Sequence, residues 1–92
     1  MSDEKLSVEF EIQNKKGLHA RAAAAFVKTL ENLDAEVEVE KSGQIVEGCS
    51  IMGLMMLAAS KGSIINVSAS GKEAKKALAL LTELINNKFG EE

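Results

Sequence analysis

Ninety-two residues with 46% hydrophobic content suffice for one two-layer core and leave no room for a second, so residues 1–92 are expected to form a single domain without an internal linker. With Lys+Arg 11 against Asp+Glu 14, the formal net charge of -3 argues against general nucleic-acid binding, although Lys15, Lys16 and Arg21 form a local basic patch. The single Cys49 excludes an internal disulfide, the first five residues lack the apolar core of a signal peptide, and the longest uncharged apolar stretch, residues 51–59, is too short to span a bilayer; a soluble cytoplasmic protein is expected.

Between residues 6 and 12, Leu6, Val8, Phe10 and Ile12 alternate with Ser7, Glu9 and Glu11, which predicts a first strand with one buried face. Beyond the Gly17 turn, Ala23, Phe26, Val27, Leu30 and Leu33 recur at helical spacing, and residues 22–25 are all alanine, so a first helix is predicted to start just past His19. Val37 and Val39 alternate with Glu36, Glu38 and Glu40. Ser42-Gly43 then supplies the turn to Gln44-Ile45-Val46-Glu47, an antiparallel hairpin. Ser50 precedes a short helical segment over residues 51–59, with Ser60-Lys61-Gly62 as its stop, and a strand over residues 64–67 follows. Ser70, with Glu73 three residues later, reads as a capping box for a last helix whose stripe of Ala74, Ala77, Leu78, Leu81, Leu84 and Ile85 ends before Gly90. The order is strand, helix, strand, strand, helix, strand, helix, an α+β pattern. Glutamates 36, 38 and 40 imply a sheet covered by helices on one side only.

The only histidine, His19, lies in Asn14-Lys15-Lys16-Gly17-Leu18-His19-Ala20-Arg21, where the strand pattern has ended and the helix pattern begins. That position sets an imidazole among backbone N–H groups that have no intrahelical partner. Together with the positive end of the helix dipole they favour an anion, so the imidazole is a plausible nucleophile for phosphate. Phosphoryl transfer needs in-line positioning and charge stabilisation, and Arg21 offers a guanidinium with several donors.

This strand-turn-histidine-helix segment, the hairpin after it and Ser50-Ile51-Met52-Gly53-Leu54-Met55 resemble the HPr family, the histidine-containing phosphocarrier proteins of the bacterial sugar phosphotransferase system and their nitrogen-type relatives. The resemblance extends over nearly the whole chain. It implies an HPr-like open-faced β-sandwich, βαββαβα, with three helices on one face of a four-stranded antiparallel sheet in the spatial order 1-4-2-3. It also implies that His19 takes a phosphoryl group on Nδ1 from enzyme I, which is charged by phosphoenolpyruvate, and passes it to enzyme II A domains. Such a chain is a stoichiometric intermediate without a cofactor rather than an independent catalyst. Arg21 matches the family arginine. The family usually has proline directly after that arginine, and here Ala22 keeps the helix while restoring a backbone donor, which implies altered rigidity at the helix entry rather than lost activity.

The segment Ile51-Met52-Gly53-Leu54-Met55-Met56-Leu57 is apolar around almost the whole helical circumference, whereas one sheet can cover only one side of a helix. At 100° per residue, Leu54, Leu57 and Ala58 share one side and Met52, Met56 and Ala59 lie opposite. Three of the four methionines fall in this segment, and methionine suits surfaces that accept several partners. In the resembling family this helix is the docking patch. Ile51, Met52 and Met55 match its contact positions, and Ala20 and Ala24 stand at its border. The structural alternative is ordinary core, covered by the sheet or by a second copy; a monomer is expected.

Ser50 is most economically a helix N-cap, although some family members are phosphorylated at the matching serine by a regulatory kinase. Cys49 has no metal-ligand spacing with the distant histidine, so no metal site is expected. Gly48 and Gly53 have the glycine spacing of a P-loop, but Leu54 stands where its lysine belongs. The competing functional class is a regulatory module of the same fold that acts on enzymes or a transcriptional regulator through its methionine-rich surface.

Overall fold

The structure, a computed structural model, describes residues 5–91. Alternating side chains build four strands, β1 (Leu6–Glu11), β2 (Glu36–Lys41), β3 (Gln44–Glu47) and β4 (Ile64–Ser70), and the apolar stripes build three helices, α1 (Ala20–Leu30), α2 (Ile51–Met56) and α3 (Ala74–Asn86). A 3₁₀ turn, Lys88–Gly90, follows α3. The sheet is antiparallel throughout in the order β1-β4-β2-β3, with Val8 opposite Val67, Val67 opposite Val39 and Val39 opposite Val46.

The alternation fixes which face is buried. In β4, Ile65, Val67 and Ala69 point into the core while Asn66 and Ser68 face outward, and in β2 Val37 and Val39 are buried between the exposed Glu36 and Glu38. Against the inner face pack Ala22, Ala23, Phe26 and Leu30 of α1, Leu54 of α2, and Ala77, Leu78, Leu81 and Ile85 of α3. Full burial of each larger side chain here stabilises by about 1.5–3 kcal/mol, so the helices are held by their stripes rather than by local propensity. The β2–β3 hairpin turns through Ser42 and Gly43 at φ 52° and 87°, the positive values that a two-residue turn between twisted strands requires.

β1 ends at Glu11, one residue before Ile12, and α1 at Leu30, before Leu33; three further boundaries differ from the sequence pattern for a tertiary reason. β4 continues to Ser70, because Ser70 pairs with Glu36 and Ala69 with both Leu6 and Val37. The Ser70–Glu73 capping box therefore does not form. Glu73 is itself the N-cap of α3 and turns its Oε1 to the backbone N–H of Asp34 at 2.7 Å, while its own N–H donates to the Asp34 carbonyl at 2.9 Å. The α1–β2 loop takes the carboxylate that the helix would have used.

α2 ends at Met56 rather than Ala59. Leu57 donates back to Leu54 and Ala58, at φ 51°, to Met55, so the chain turns tightly and delivers Ala59 into the core. Ala58 is exposed and Ala59 buried, the reverse of their helical-wheel placement. The turn also has a consequence for the opening of α1: the Ala59 carbonyl accepts the Leu18 N–H at 2.9 Å, one residue before His19.

Gly17 makes that approach feasible. It sits at φ +68°, and a Cβ there would lie 2.4 Å from the Ala59 carbonyl oxygen and 2.9 Å from Ser60 Cα. Both obstacles are backbone and cannot rotate away. Gly17→Ala is therefore expected to destabilise the fold by roughly 1–3 kcal/mol, read as a lower midpoint in urea denaturation; an unchanged midpoint would contradict the close approach.

Candidate functional site

Residues 12–19 lead from β1 to α1 over the end of α2. Ile12 and Asn14 are fully buried, and Gly17 donates to the Asn14 carbonyl, closing a turn that lifts Lys15 and Lys16 outward. His19 follows in extended conformation, φ -80° and ψ -176°, and its carbonyl accepts the first intrahelical bond, from Ala23, at 2.8 Å.

These features make His19 the N-cap of α1, a position that Ser, Thr, Asp or Asn usually holds. Its ring performs the capping: Nδ1 accepts the backbone N–H of Arg21 at 3.2 Å. Nδ1 thus faces the positive end of an 11-residue helix, whose first amide donors have no carbonyl partner in the preceding turn. The imidazole remains reachable, with 29% of its side chain exposed. A shallow open depression beside it is lined by Lys16, Leu18, Ala58, Ala59 and Ser60.

The opposite ring nitrogen has a partner that the sequence pattern does not suggest. Nε2 bonds to Oε2 of Glu91, and Oε1 of the same carboxylate accepts from Asn14 Nδ2 at 2.9 Å. The Asn14 amide also donates to the Gly17 carbonyl at 2.8 Å. One buried asparagine therefore ties the turn before His19 to the carboxylate across its ring. Its Oδ1 has no hydrogen-bond partner among the described residues.

Among the sequence-predicted site residues, His19 and the Arg21 backbone meet directly. The Arg21 side chain is exposed, and its charge reaches Glu91. Ala20 and Ala24 are exposed on α1, which packs against α2. On α2, Met52 is 71% exposed, Met56 65%, Met55 40% and Ile51 39%, an apolar surface that the sheet leaves uncovered. Ser50 caps α2, its hydroxyl accepting the Gly53 N–H at 3.0 Å. Cys49 is exposed beside Glu36, Glu38 and Glu47, and among the described residues no group of three or more His, Cys, Asp or Glu could hold a metal ion. No helix among them is long and apolar enough to cross a membrane.

The family described as "PTS HPr component phosphorylation site" matches residues 6–87 of this chain. The chain belongs to the HPr family. It is 49% identical over 86 residues to the phosphocarrier protein HPr of Neisseria meningitidis serogroup A, a match covering 94% of this chain and 97% of that one. It is 45% identical to the crystal structure of HPr-C-His from Thermoanaerobacter tengcongensis, with TM-score 0.90 and coverage of 95% and 98%. An HPr dimer from the same organism matches with TM-score 0.75 at 45% identity, covering 91% of this chain and 97% of that chain. The HPr fold expected from the sequence, including the sheet order 1-4-2-3, is the fold observed.

Within this HPr-family chain the Glu91 carboxyl experiences opposing influences. Burial works to raise its pKa, but hydrogen bonds from Asn14 and His19, with the charges of His19 and Arg21, outweigh burial and hold it below its ordinary value of 4.5. A depressed carboxyl contributes stability above its unfolded pKa and loses it as pH falls through the lower folded value. The tail contact is therefore expected to persist at neutral pH and to release only below the ordinary carboxylate range. Side-chain amide signals of Asn14, followed by NMR through an acid titration, should move with an apparent midpoint under 4.5; a midpoint at or above that value would contradict the arrangement.

Proposed function

We propose that this chain is a cytoplasmic phosphocarrier of the phosphotransferase system, accepting a phosphoryl group from phosphorylated enzyme I on His19 Nδ1 and passing it to enzyme II A domains. The observation that supports this most is the capping role of His19, which aims an imidazole lone pair at helix N–H groups while leaving the ring accessible. Attack by Nδ1 forms the new P–N bond as the donor's bond to phosphorus breaks and its electron pair stays with the donor. The Arg21 N–H, released from Nδ1, is then free to donate to a phosphoryl oxygen. The Arg21 guanidinium can add charge-assisted hydrogen bonds. No cofactor enters these steps, and return transfer reverses them.

Partners dock, in this reading, on the uncovered methionines and Ile51 of α2, bordered by Ala20 and Ala24 of α1. Lys15, Lys16 and Arg21 beside this surface would speed encounter with acidic partners. In this reading the protein works as a single-domain monomer. A regulatory kinase acting on Ser50 would add negative charge next to Ile51 and Met52, within the docking surface, at the cap where the hydroxyl now accepts the Gly53 N–H.

The test is incubation with enzyme I, Mg²⁺ and phosphoenolpyruvate, read by intact mass. Wild type is expected to gain one acid-labile phosphate, His19→Ala none, and Met52→Glu to charge more slowly to the same endpoint with an unchanged melting temperature. A wild type that stays unmodified by active enzyme I would contradict the carrier reading and favour a regulatory module acting through the methionine surface.

A further inference from the structure

The two nitrogens of the His19 ring have partners with opposite requirements. A backbone N–H can only donate, so the Arg21 amide requires a lone pair on Nδ1. An ionised carboxylate can only accept, so Glu91 requires the proton on Nε2. A neutral imidazole satisfies both in one tautomer alone. The other tautomer would set N–H against N–H and a lone pair against a carboxylate.

Nothing in this contact depends on a loosely attached tail. Phe89 is buried in the core at 8% exposure, Gly90 donates to the Asn87 carbonyl and Glu91 to that of Lys88. Lys88, Phe89 and Gly90 adopt positive φ of 55°, 56° and 75°, which reverses the chain after α3 and returns it to the start of α1. The Glu91 side chain is only 12% exposed, and Asn14, fully buried, fixes its second oxygen. Glu91 also lies beyond the span of residues 6–87 that matches the family.

We propose that Glu91, braced by Asn14, is a positioning residue that holds His19 with its proton on Nε2, so that Nδ1 is the nitrogen presented for phosphoryl transfer. The inference rests on the phosphocarrier reading and names the group that selects the reacting atom. When Nδ1 bonds to phosphorus, Nε2 keeps its proton and the ring takes on positive charge. The Glu91 carboxylate faces that charge and offsets it. On onward transfer the P–N bond breaks, its electron pair returns to Nδ1, and the proton on Nε2 has not moved. Among the described residues, charged groups around the ring include Glu91 from the tail, Arg21 from α1 and Lys16 from the preceding loop. Only Glu91 among these can accept the proton's hydrogen bond.

Glu91→Gln removes the charge at nearly constant size, and Glu91→Asp restores it on a shorter side chain; both change a residue after the last core contact, so each variant should fold, with a slightly lower melting temperature for Glu91→Gln at neutral pH, where the depressed carboxyl contributes stability. Two readouts apply. In ¹⁵N-labelled protein, long-range ¹H–¹⁵N spectra should show the His19 proton on Nε2 in wild type, a shifted or mixed tautomer in Glu91→Gln, and partial recovery in Glu91→Asp. The rate of charging by enzyme I should fall about tenfold in Glu91→Gln, as loss of a charge-assisted hydrogen bond predicts, with the endpoint unchanged and partial recovery in Glu91→Asp. Identical ring spectra and identical rates in wild type and Glu91→Gln would overturn the role of Glu91 while leaving the carrier reading intact. A wild type that takes no phosphate would defeat the carrier reading, and the ring spectra would still decide whether Glu91 sets the tautomer.

Discussion

A helix that opens on an imidazole instead of a hydroxyl or carboxamide is the constraint on which the rest of this molecule depends. An N-cap side chain is worth about 0.5–2 kcal/mol to its helix, and here the capping atom is the same Nδ1 proposed to take phosphate. The ring is thereby held in one rotamer by folding energy that exists before any partner arrives. Displacing the cap costs one hydrogen bond and frees an amide where a phosphoryl oxygen would sit, so capping and anion binding become two states of one site.

Holding that cap in place requires contacts from remote parts of the chain. The carbonyl of Ala59, beyond α2, takes the Leu18 N–H, and only a residue without a Cβ fits at Gly17 beneath it. From the other terminus, Glu91 meets Nε2 and Asn14. The sheet carries these segments without touching the chemistry. Its outer face displays Glu36 and Glu38, whereas Lys15, Lys16 and Arg21 are exposed around His19. An acidic chain thus presents a basic rim where an acidic partner would approach, the arrangement that raises encounter rates without demanding a large interface.

Much of this was legible in the residues because it follows from local rules. Period-two and period-3.6 patterns located every strand and helix, Ser42-Gly43 marked the hairpin, Ser50 announced the cap of α2, and the surplus of apolar residues in that helix marked a surface the sheet could not cover. The spatial order of the strands came from the family resemblance and not from periodicity. The misses share a cause: a distant backbone group won against a local preference. The Glu73 carboxylate makes no cap bond because the Asp34 N–H took it, and α2 stopped early because Ala59 is buried and bonded to Leu18. Asn14 was missed, although a small amide before a glycine turn is a pattern that signals local backbone bonding. Glu91 gave no signal at all, since its meeting with His19 depends on two non-glycine residues, Lys88 and Phe89, taking positive φ.

The atom that carries phosphorus tests the central claim most directly. In protein charged by enzyme I and labelled with ¹⁵N in its single histidine, one-bond ³¹P–¹⁵N coupling identifies the bonded ring nitrogen. Coupling to Nδ1, with the proton on Nε2, is the predicted result. Coupling to Nε2 would contradict it, because the capping geometry would then have aimed the wrong nitrogen at the helix.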